Sequence, residues 1–574
     1  MVLCAFLFSL ISCQLYPAAP PGDGETTEGD AAEVVRTYIV ENGKTDYQIV
    51  YGEGTSENVI NMLQKLQSTI REKTTVRMKM TDDYLPSGAT YSEDTHEILI
   101  GKTAYPQTQE ILSTLRYDEY AIRRVGNKLV VAAHSDEVLI KALGYIINTA
   151  IPKCAEVVGD AKTIYLENYF YQSKGDYGTM KIDDVEIQKF QIVYAAEPKD
   201  LQRAAEILRE YISTGYGYVL PCGSDKEMTE STYEILIGNT NRTASSVQYA
   251  QNPPKLLSYR FVAEKGKLML LCGGAYSAVN GATDLTFHFP ASSDYELKSG
   301  TLLEKQMLDL SPKALAEGSD IRVMTSNILA ERWVDGRPYP TTSQRAEIYA
   351  ALLAVYQPNL VGAQETDMPW VEVLPYYLDV LKNVHGIDYT WIENRYEHLA
   401  NLTSLLYRAE QFELLESGMQ EYSYVNHTNY KIRVLAWGVF RDKSTGRQFA
   451  LINTHCDGKT EYSPIEVAEE KALIDRLDGK YQNLTFFCTG DYNNHVNNGI
   501  ENFKTATGFI DSKEAADANG VLANHNTGIP LDFYIDHVYT NLNPDAVKHW
   551  ETIESNLTSS MSDHLPQYGD YSLN

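Results

Sequence analysis

Carboxylates, amides and imidazoles recur just beyond apolar, strand-like runs in the second half of this chain. They stand in Thr325-Ser326-Asn327, Gln364-Glu365, Asn453-Thr454-His455, Gly490-Asp491-Tyr492-Asn493, Ile535-Asp536-His537-Val538 and Ser562-Asp563-His564-Leu565-Pro566. Such side chains at strand ends gather oxygen ligands for a hard cation and a histidine for a phosphate oxygen. Any one of these motifs alone reads as a turn or a cap. Six in one order, between residues 325 and 566, read as the parts of a single site for metal-assisted attack on phosphorus.

The residue types assign work within that site. Glu365 closes a strand and offers a carboxylate suited to Mg²⁺, which prefers oxygen ligands and keeps several waters. Asn327 can give its carbonyl oxygen to a metal or its amide to a phosphate. Asp491 and Asn493 lie two residues apart, so on an extended segment both side chains point the same way. The aspartate can align and deprotonate a water, and the asparagine can hold the phosphate or a developing charge. Gly490 permits a sharp exit from the strand. His564 can donate to a non-bridging phosphate oxygen. His537, next to Asp536, points to the opposite face of a strand and takes no role.

These residues need strands that end at one rim and helices that hold the strands in place. Ile321–Ser326, Asn359–Ala363, Ser404–Tyr407, Val434–Arg441, Phe449–Asn453, Leu484–Thr489 and Phe533–Tyr539 read as strands. Thr341–Val355 reads as a helix with a Thr/Ser start and Pro358 beyond its end, and Pro464–Leu477 as a second amphipathic helix.

The stretch 320–574 resembles the endonuclease/exonuclease/phosphatase superfamily of deoxyribonuclease-like, metal-dependent phosphohydrolases. The resemblance implies an α/β (α+β) fold, a four-layer α/β/β/α sandwich with its site at one edge. It also implies one Mg²⁺ or Mn²⁺, with Glu365 as principal ligand, Asn327 in the site and Asp563 near the metal. Asp536 matches the aspartate that orients the phosphate-binding histidine, here His564, by carboxylate–imidazole pairing. His455 matches a histidine that contacts the phosphate or protonates the leaving oxygen, although a core histidine bonded to backbone is the competing reading. Relatives fill one further position near the strand Ser404–Tyr407, for which Tyr396, Glu397, His398 and Asn401 are all candidates. The implied reaction is in-line attack of water on a phosphoester, with diester and monoester left open.

Residues 35–170 and 186–306 read as two copies of a small α/β module. Tyr47–Tyr51 matches Phe190–Tyr194, Glu97–Gly101 matches Glu234–Gly238, and Tyr120–Val131 matches Tyr259–Leu270. Each copy reads strand, helix, strand, strand pair, helix, with first helices at Glu57–Lys73 and Leu201–Ile212. No cluster of acids, histidines or cysteines is seen to recur in both. The modules resemble accessory α/β domains of bacterial carbohydrate-active enzymes, which implies glycan or cell-wall contact. Residues 171–186 and 306–319 read as linkers without periodicity.

The 49 basic and 77 acidic residues give a net charge of −28. That surface argues against tight, non-specific nucleic-acid binding, which phosphate neutralisation drives, and the lack of a basic run near any motif argues against specific DNA binding. Of the seven cysteines, none has zinc-ligand spacing, and those beyond the N-terminus read as buried thiols. Residues 1–34 read as an export signal and flexible tether. Val2–Ile11 is too short to span a bilayer, and Leu10-Ile11-Ser12-Cys13 resembles a lipoprotein cleavage box, implying a lipid-anchored, cell-surface or secreted protein. Trp333, Trp370, Trp391 and Trp437 read as isolated core aromatics. The competing function is a non-catalytic surface protein that binds glycan or cell wall and carries a relic hydrolase domain.

Overall fold

The computed structural model describes residues 35–87, 89–158, 162–289, 291, 293–334, 336–392, 403–424, 433–459, 461–493, 499–529 and 534–573. The leader-like start with Cys4 and Cys13, and the candidates Tyr396, Glu397, His398 and Asn401, lie outside the described residues. Among the described residues no helix is long and apolar enough to cross a membrane. Cys154, Cys222, Cys272, Cys456 and Cys488 are free thiols, all buried except the half-buried Cys222. The chain divides into two compact units, residues 1–115 with 119–172, and residues 116–118 with 173–574.

The first unit is built on a six-stranded sheet in the order Met80–Asp82, Gln48–Tyr51, Glu97–Ile100, Lys128–Ala133, Tyr120–Val125, Tyr169–Tyr171. The first four strands run parallel and the last two antiparallel. The helix expected at Glu57–Lys73 spans Glu57–Thr74, and its Ser56 cap accepts the Val59 N–H. It buries Val59, Leu63 and Leu66 on one sheet face beside Leu139 and Leu143 of the helix Asp136–Tyr145. The helix Pro106–Leu112 covers the other face.

The second unit begins with a sheet of the same order and sense. Its strands are Cys222–Ser224, Gln191–Tyr194, Glu234–Ile237, Lys267–Cys272, Ser258–Glu264 and Gly300–Gln306. A mixed polar cluster of one glutamate, one glutamine and one lysine recurs in both sheets. Glu97 accepts from Gln48 at 2.9 Å and from Lys128 at 2.7 Å. Glu234 accepts from Gln191 at 2.9 Å and from Lys267 at 2.7 Å. Both glutamates are buried and paired, and so stay ionised within the sheet. The stretch expected as the first linker is partly structured. Met180–Ile182 and Val185–Glu186 form a small sheet with Tyr295–Leu297, a partner too distant in sequence to leave a local pattern.

The C-terminal part of this unit stacks two six-stranded sheets. One has the order Tyr389–Ile392, Ser404–Arg408, Leu360–Gln364, Ile321–Asn327, Gln567–Tyr571, Val547–Thr552. The other has the order Phe412–Glu421, Val434–Asp442, Gln448–His455, Thr485–Asp491, Asp536–Thr540, Ile510–Asp511. Alternation along each strand divides the side chains between layers. Ile321, Val323, Leu360, Leu451, Phe487 and Val538 meet between the sheets. Met324, Val361 and Leu406 pack under the helices Thr342–Tyr356 and Met368–His385. Ala450, Ile452 and Phe486 pack under the helix Ser463–Tyr481. The result is an α/β/β/α sandwich.

The helix Thr342–Tyr356 is buried at every position from Thr342 to Ala354. The sheet covers one side, and the module at 186–306 covers the other. Glu347 on this helix accepts the Leu257 N–H at 2.8 Å, the Ser277 N–H at 3.0 Å and the Ser277 hydroxyl at 2.7 Å. Leu256 and Leu257 belong to the same apolar core as the helix.

Candidate active site

Parallel neighbours end together, which brings the motifs to one rim. Asn327 is level with Gln364 across the first sheet, and His455 with Asp491 across the second. The antiparallel strand Asp536–Thr540 starts at the same rim, with Asp536 opposite Asp491. His564 precedes the strand Gln567–Tyr571, which runs antiparallel to Ile321–Asn327.

The motif residues behind the chemistry tie the sheets to each other. Asn453 donates to the Ala363 and Ser404 carbonyls at 2.9 Å each, and its oxygen accepts from Gln364 at 2.7 Å and Thr489 at 3.1 Å. Gly362 lies under this network, and a Cβ there would sit 2.0 Å from Thr489 Oγ1. Ser562 donates to the Asn327 carbonyl at 2.7 Å and accepts the His564 N–H at 3.2 Å. Glu365 and Asn493 leave their strands with φ of +64° and +51°, conformations that side chains other than glycine rarely adopt. These turns aim both side chains into the rim.

The groups meet as follows. Asn327 Nδ2 donates to Glu365 Oε1 at 3.3 Å and Asp491 Oδ2 at 3.1 Å. Asp491 Oδ2 is 3.4 Å from His455 Nε2 and 3.7 Å from His564 Nε2. His564 Nδ1 is 2.8 Å from Asp536 Oδ2. Asn493 is held by its N–H on Asp491 Oδ1 at 3.0 Å and its Nδ2 on the Cys456 carbonyl at 2.9 Å. Glu365, Asn327, Asp491, Asn493, His455, Asp536 and His564 therefore form one contiguous cluster.

Two of the residues expected at the metal have protein partners in this arrangement. Asn327 turns its nitrogen to the carboxylates, because its oxygen accepts the Leu329 N–H at 3.1 Å. Asp563 pairs with Arg337 Nη1 at 2.9 Å and stays partly exposed. The ligand atoms of Asp491, Asp536 and His564 instead lie within 4.8 Å of one another, a group able to hold a metal ion. The surroundings suit a cation: Asp491 and Asp536 are buried, and Asp536 Oδ1 has no hydrogen-bond partner. Glu365, with its second oxygen on the Ala330 N–H at 2.8 Å, adds a third carboxylate.

Burial lifts the Asp491 carboxyl to about 7, with Asp536 and Glu365 adding to the rise and His564 opposing it. Burial works against a charged His564, but the Asp536 carboxylate outweighs it and raises the imidazole to about 10. A carboxylate poised near neutrality beside a protonated imidazole is an acid–base arrangement.

Several contributors escaped the sequence. Tyr492 donates to Glu470 at 2.9 Å, and burial lifts that carboxyl to about 8. Glu466 accepts the Asp457 N–H at 2.7 Å. The helix Ser463–Tyr481 thus anchors both segments that carry His455 and Asp491. Arg345 donates to the Ile328 and Leu329 carbonyls at 3.0 and 2.7 Å, holding the turn after Asn327. Arg332 and Arg433 reach the cluster electrostatically. His537 pairs with Asp511 at 2.7 Å in the core, consistent with its opposite face. Trp370 is buried, whereas Trp333 is 41 % exposed rather than in the core.

No family model and no curated protein matches the chain. Solved structures similar to it include members of the endonuclease/exonuclease/phosphatase family. A mannosyl-6-phosphatase from Bacteroides thetaiotaomicron VPI-5482 shares 20 % identity over 44 % of this chain and 99 % of that one, with a TM-score of 0.35. A family protein from Bacteroides vulgatus shares 20 % over 44 % and 99 %, at 0.36. The human Nocturnin catalytic domain shares 19 % over 44 % and 94 %, at 0.34.

Proposed function

We propose that the C-terminal sandwich is a metal-dependent phosphoester hydrolase. The observation that carries this reading is the contact chain from Glu365 through Asn327 and Asp491 to His564 and Asp536, assembled from five separate strand ends. A divalent cation such as Mg²⁺ or Mn²⁺, held by Glu365 among the clustered carboxylates, would polarise the phosphate and offset the clustered negative charge. Asp491, whose burial favours taking up a proton, accepts the proton of the attacking water. His564 gives its Nδ1–H to Asp536 and keeps Nε2–H for a terminal phosphate oxygen. His455, buried against Asp491, is placed to serve the leaving oxygen. Placement and charge dominate such chemistry, so little covalent work falls to the protein.

The test is hydrolysis of chromogenic phosphate mono- and diesters by the full chain, with EDTA and with Mg²⁺ or Mn²⁺ restored. Turnover that EDTA abolishes and metal restores is expected. No turnover of either ester with either metal would favour the relic-domain reading. The leader-like start extends the proposal to a hydrolase anchored at the cell surface through Cys13. Cys13→Ala is expected to move the protein from the membrane to the soluble fraction.

A further inference from the structure

Resting on that reading, we propose that Arg332, with Arg433 beside it, selects phosphomonoesters by binding the terminal oxygen that a diester lacks. Arg332 sits in the short turn Glu331–Trp333 that follows the strand Ile321–Asn327. The turn is fastened to the strand end that carries Glu365. The Ala330 N–H bonds Glu365 Oε2 and the Glu331 N–H bonds Asp367 Oδ2, both at 2.8 Å, and Asp367 also accepts the Arg332 N–H. The guanidinium carbon lies 5.3 Å from the Trp333 ring centroid, within cation–π range. The backbone and the ring are thus committed, but the guanidinium is not. Its Nε and Nη2, the edge that grips two oxygens at once, are buried without a hydrogen-bond partner.

Arg433 repeats the anomaly from the other sheet. It precedes the strand Val434–Asp442, is 8 % exposed, and leaves Nε and Nη1 buried without partners. It acts electrostatically on Asp491, as Arg332 does on Asp367 and Glu365. The two guanidiniums also repel each other, which with burial lowers the basicity of Arg332. Two guanidiniums with buried, unmet donors at a rim of carboxylates lack an anion rather than a further acid. Buried polar groups without partners are uncommon and call for a cause.

Counting oxygens names the anion. A diester presents two terminal oxygens and one negative charge. In the proposed reaction a cation and His564 occupy both. A monoester presents a third oxygen and nearly two charges at neutral pH. That oxygen needs donors of its own, and the Arg332 fork is in place to supply them. A planar fork discriminates by geometry as well as charge, so lysine replaces it poorly.

The experiment compares the full chain with Arg332→Gln and Arg332→Lys, at saturating Mg²⁺, on p-nitrophenyl phosphate and bis-p-nitrophenyl phosphate. Inorganic phosphate serves as inhibitor and as calorimetric ligand. Wild type is expected to prefer the monoester. Arg332→Gln should lose about a hundredfold in kcat/KM on the monoester and less than about threefold on the diester, the pattern of a site that has lost one oxygen partner. Its inhibition by phosphate should weaken about tenfold. Arg332→Lys, which keeps the charge and tests against misfolding, should fall between. A wild type that prefers the diester, or equal losses on both esters, overturns the inference and leaves the hydrolase reading standing. If wild type turns over neither ester, the hydrolase reading fails. Phosphate binding then decides the role of Arg332: binding that ignores the substitution overturns it as well.

Discussion

Asp491→Asn should leave the protein inactive and, above neutral pH, more stable. Asp491 is 2 % exposed, and burial lifts its carboxyl from 3.8 to about 7. The folded state therefore prefers the protonated form. At pH below about 4 the side chain is neutral in both states and no charge is buried. The cost appears as pH rises through that range and is complete above about 7, at 1.36 kcal/mol per pH unit. At pH 8.5 it comes to about 4 kcal/mol. Asparagine removes the charge but gives up one acceptor. Either the Asn493 N–H at 3.0 Å or Asn327 Nδ2 at 3.1 Å then loses its partner, a cost of about 1–3 kcal/mol. The net effect is a gain of about 1–3 kcal/mol at pH 8.5 and a loss of about 1–3 kcal/mol near pH 4. Calorimetric melting in EDTA reads this as a crossing of the two stability curves, at roughly 2–4 °C per kcal/mol. A variant less stable than wild type by the same margin at both pH values would refute the burial argument. Retained turnover would refute the role of Asp491 as base.

Three further outcomes are expected. Asp536→Asn removes a charge-assisted bond of about 1.5–3 kcal/mol, so the His564 imidazole should titrate at least about one pH unit lower by NMR. An unchanged titration would show that another group holds the proton. Glu365→Gln should weaken Mg²⁺ binding by calorimetry at least about tenfold while the melting temperature in EDTA stays within a few degrees; unaltered affinity would remove Glu365 from the metal site. Arg322→Ala leaves the buried Asp570 carboxylate without its two-pronged partner at 2.6 and 2.8 Å, and should cost about 3–5 kcal/mol by urea denaturation. A cost under about 1 kcal/mol would mean that water reaches the pair.

The clustering of these residues was legible because each motif stands at or beside a strand terminus, and the strands themselves announce their ends. Apolar runs such as Phe486-Phe487-Cys488 stop at a polar residue where the sheet meets solvent, so Asp491 is placed by its neighbours. The helix Met368–His385 was missed: Pro369 and Pro375 break its pattern, yet the structure accepts one in the first turn and one inside the helix. The strand Phe412–Glu421 alternates only weakly, because one of its sides is half exposed. Arg332 was invisible for a different reason. Nothing local separates it from a surface arginine, and its burial depends on Asp367, which lies in another strand-to-helix turn. The Asp563–Arg337 pair was equally hidden, because Arg337 sits in a loop more than two hundred residues earlier. The Gln48–Glu97–Lys128 cluster and its counterpart were within the matched phrases of the two modules. Recognising them required looking for mixed polar partners rather than for acids, histidines or cysteines alone.

The all-round burial of the helix Thr342–Tyr356 has a practical consequence. Expressing residues 320–574 by themselves would strip the cover from one side of this helix and leave the Glu347 carboxyl with no donors from Leu257 and Ser277. Such a fragment should aggregate, however intact its rim of ligands. The smallest portable unit that keeps the sandwich covered begins near residue 173, and any recombination that separates the preceding module from the sandwich has to give that side of the helix polar side chains first.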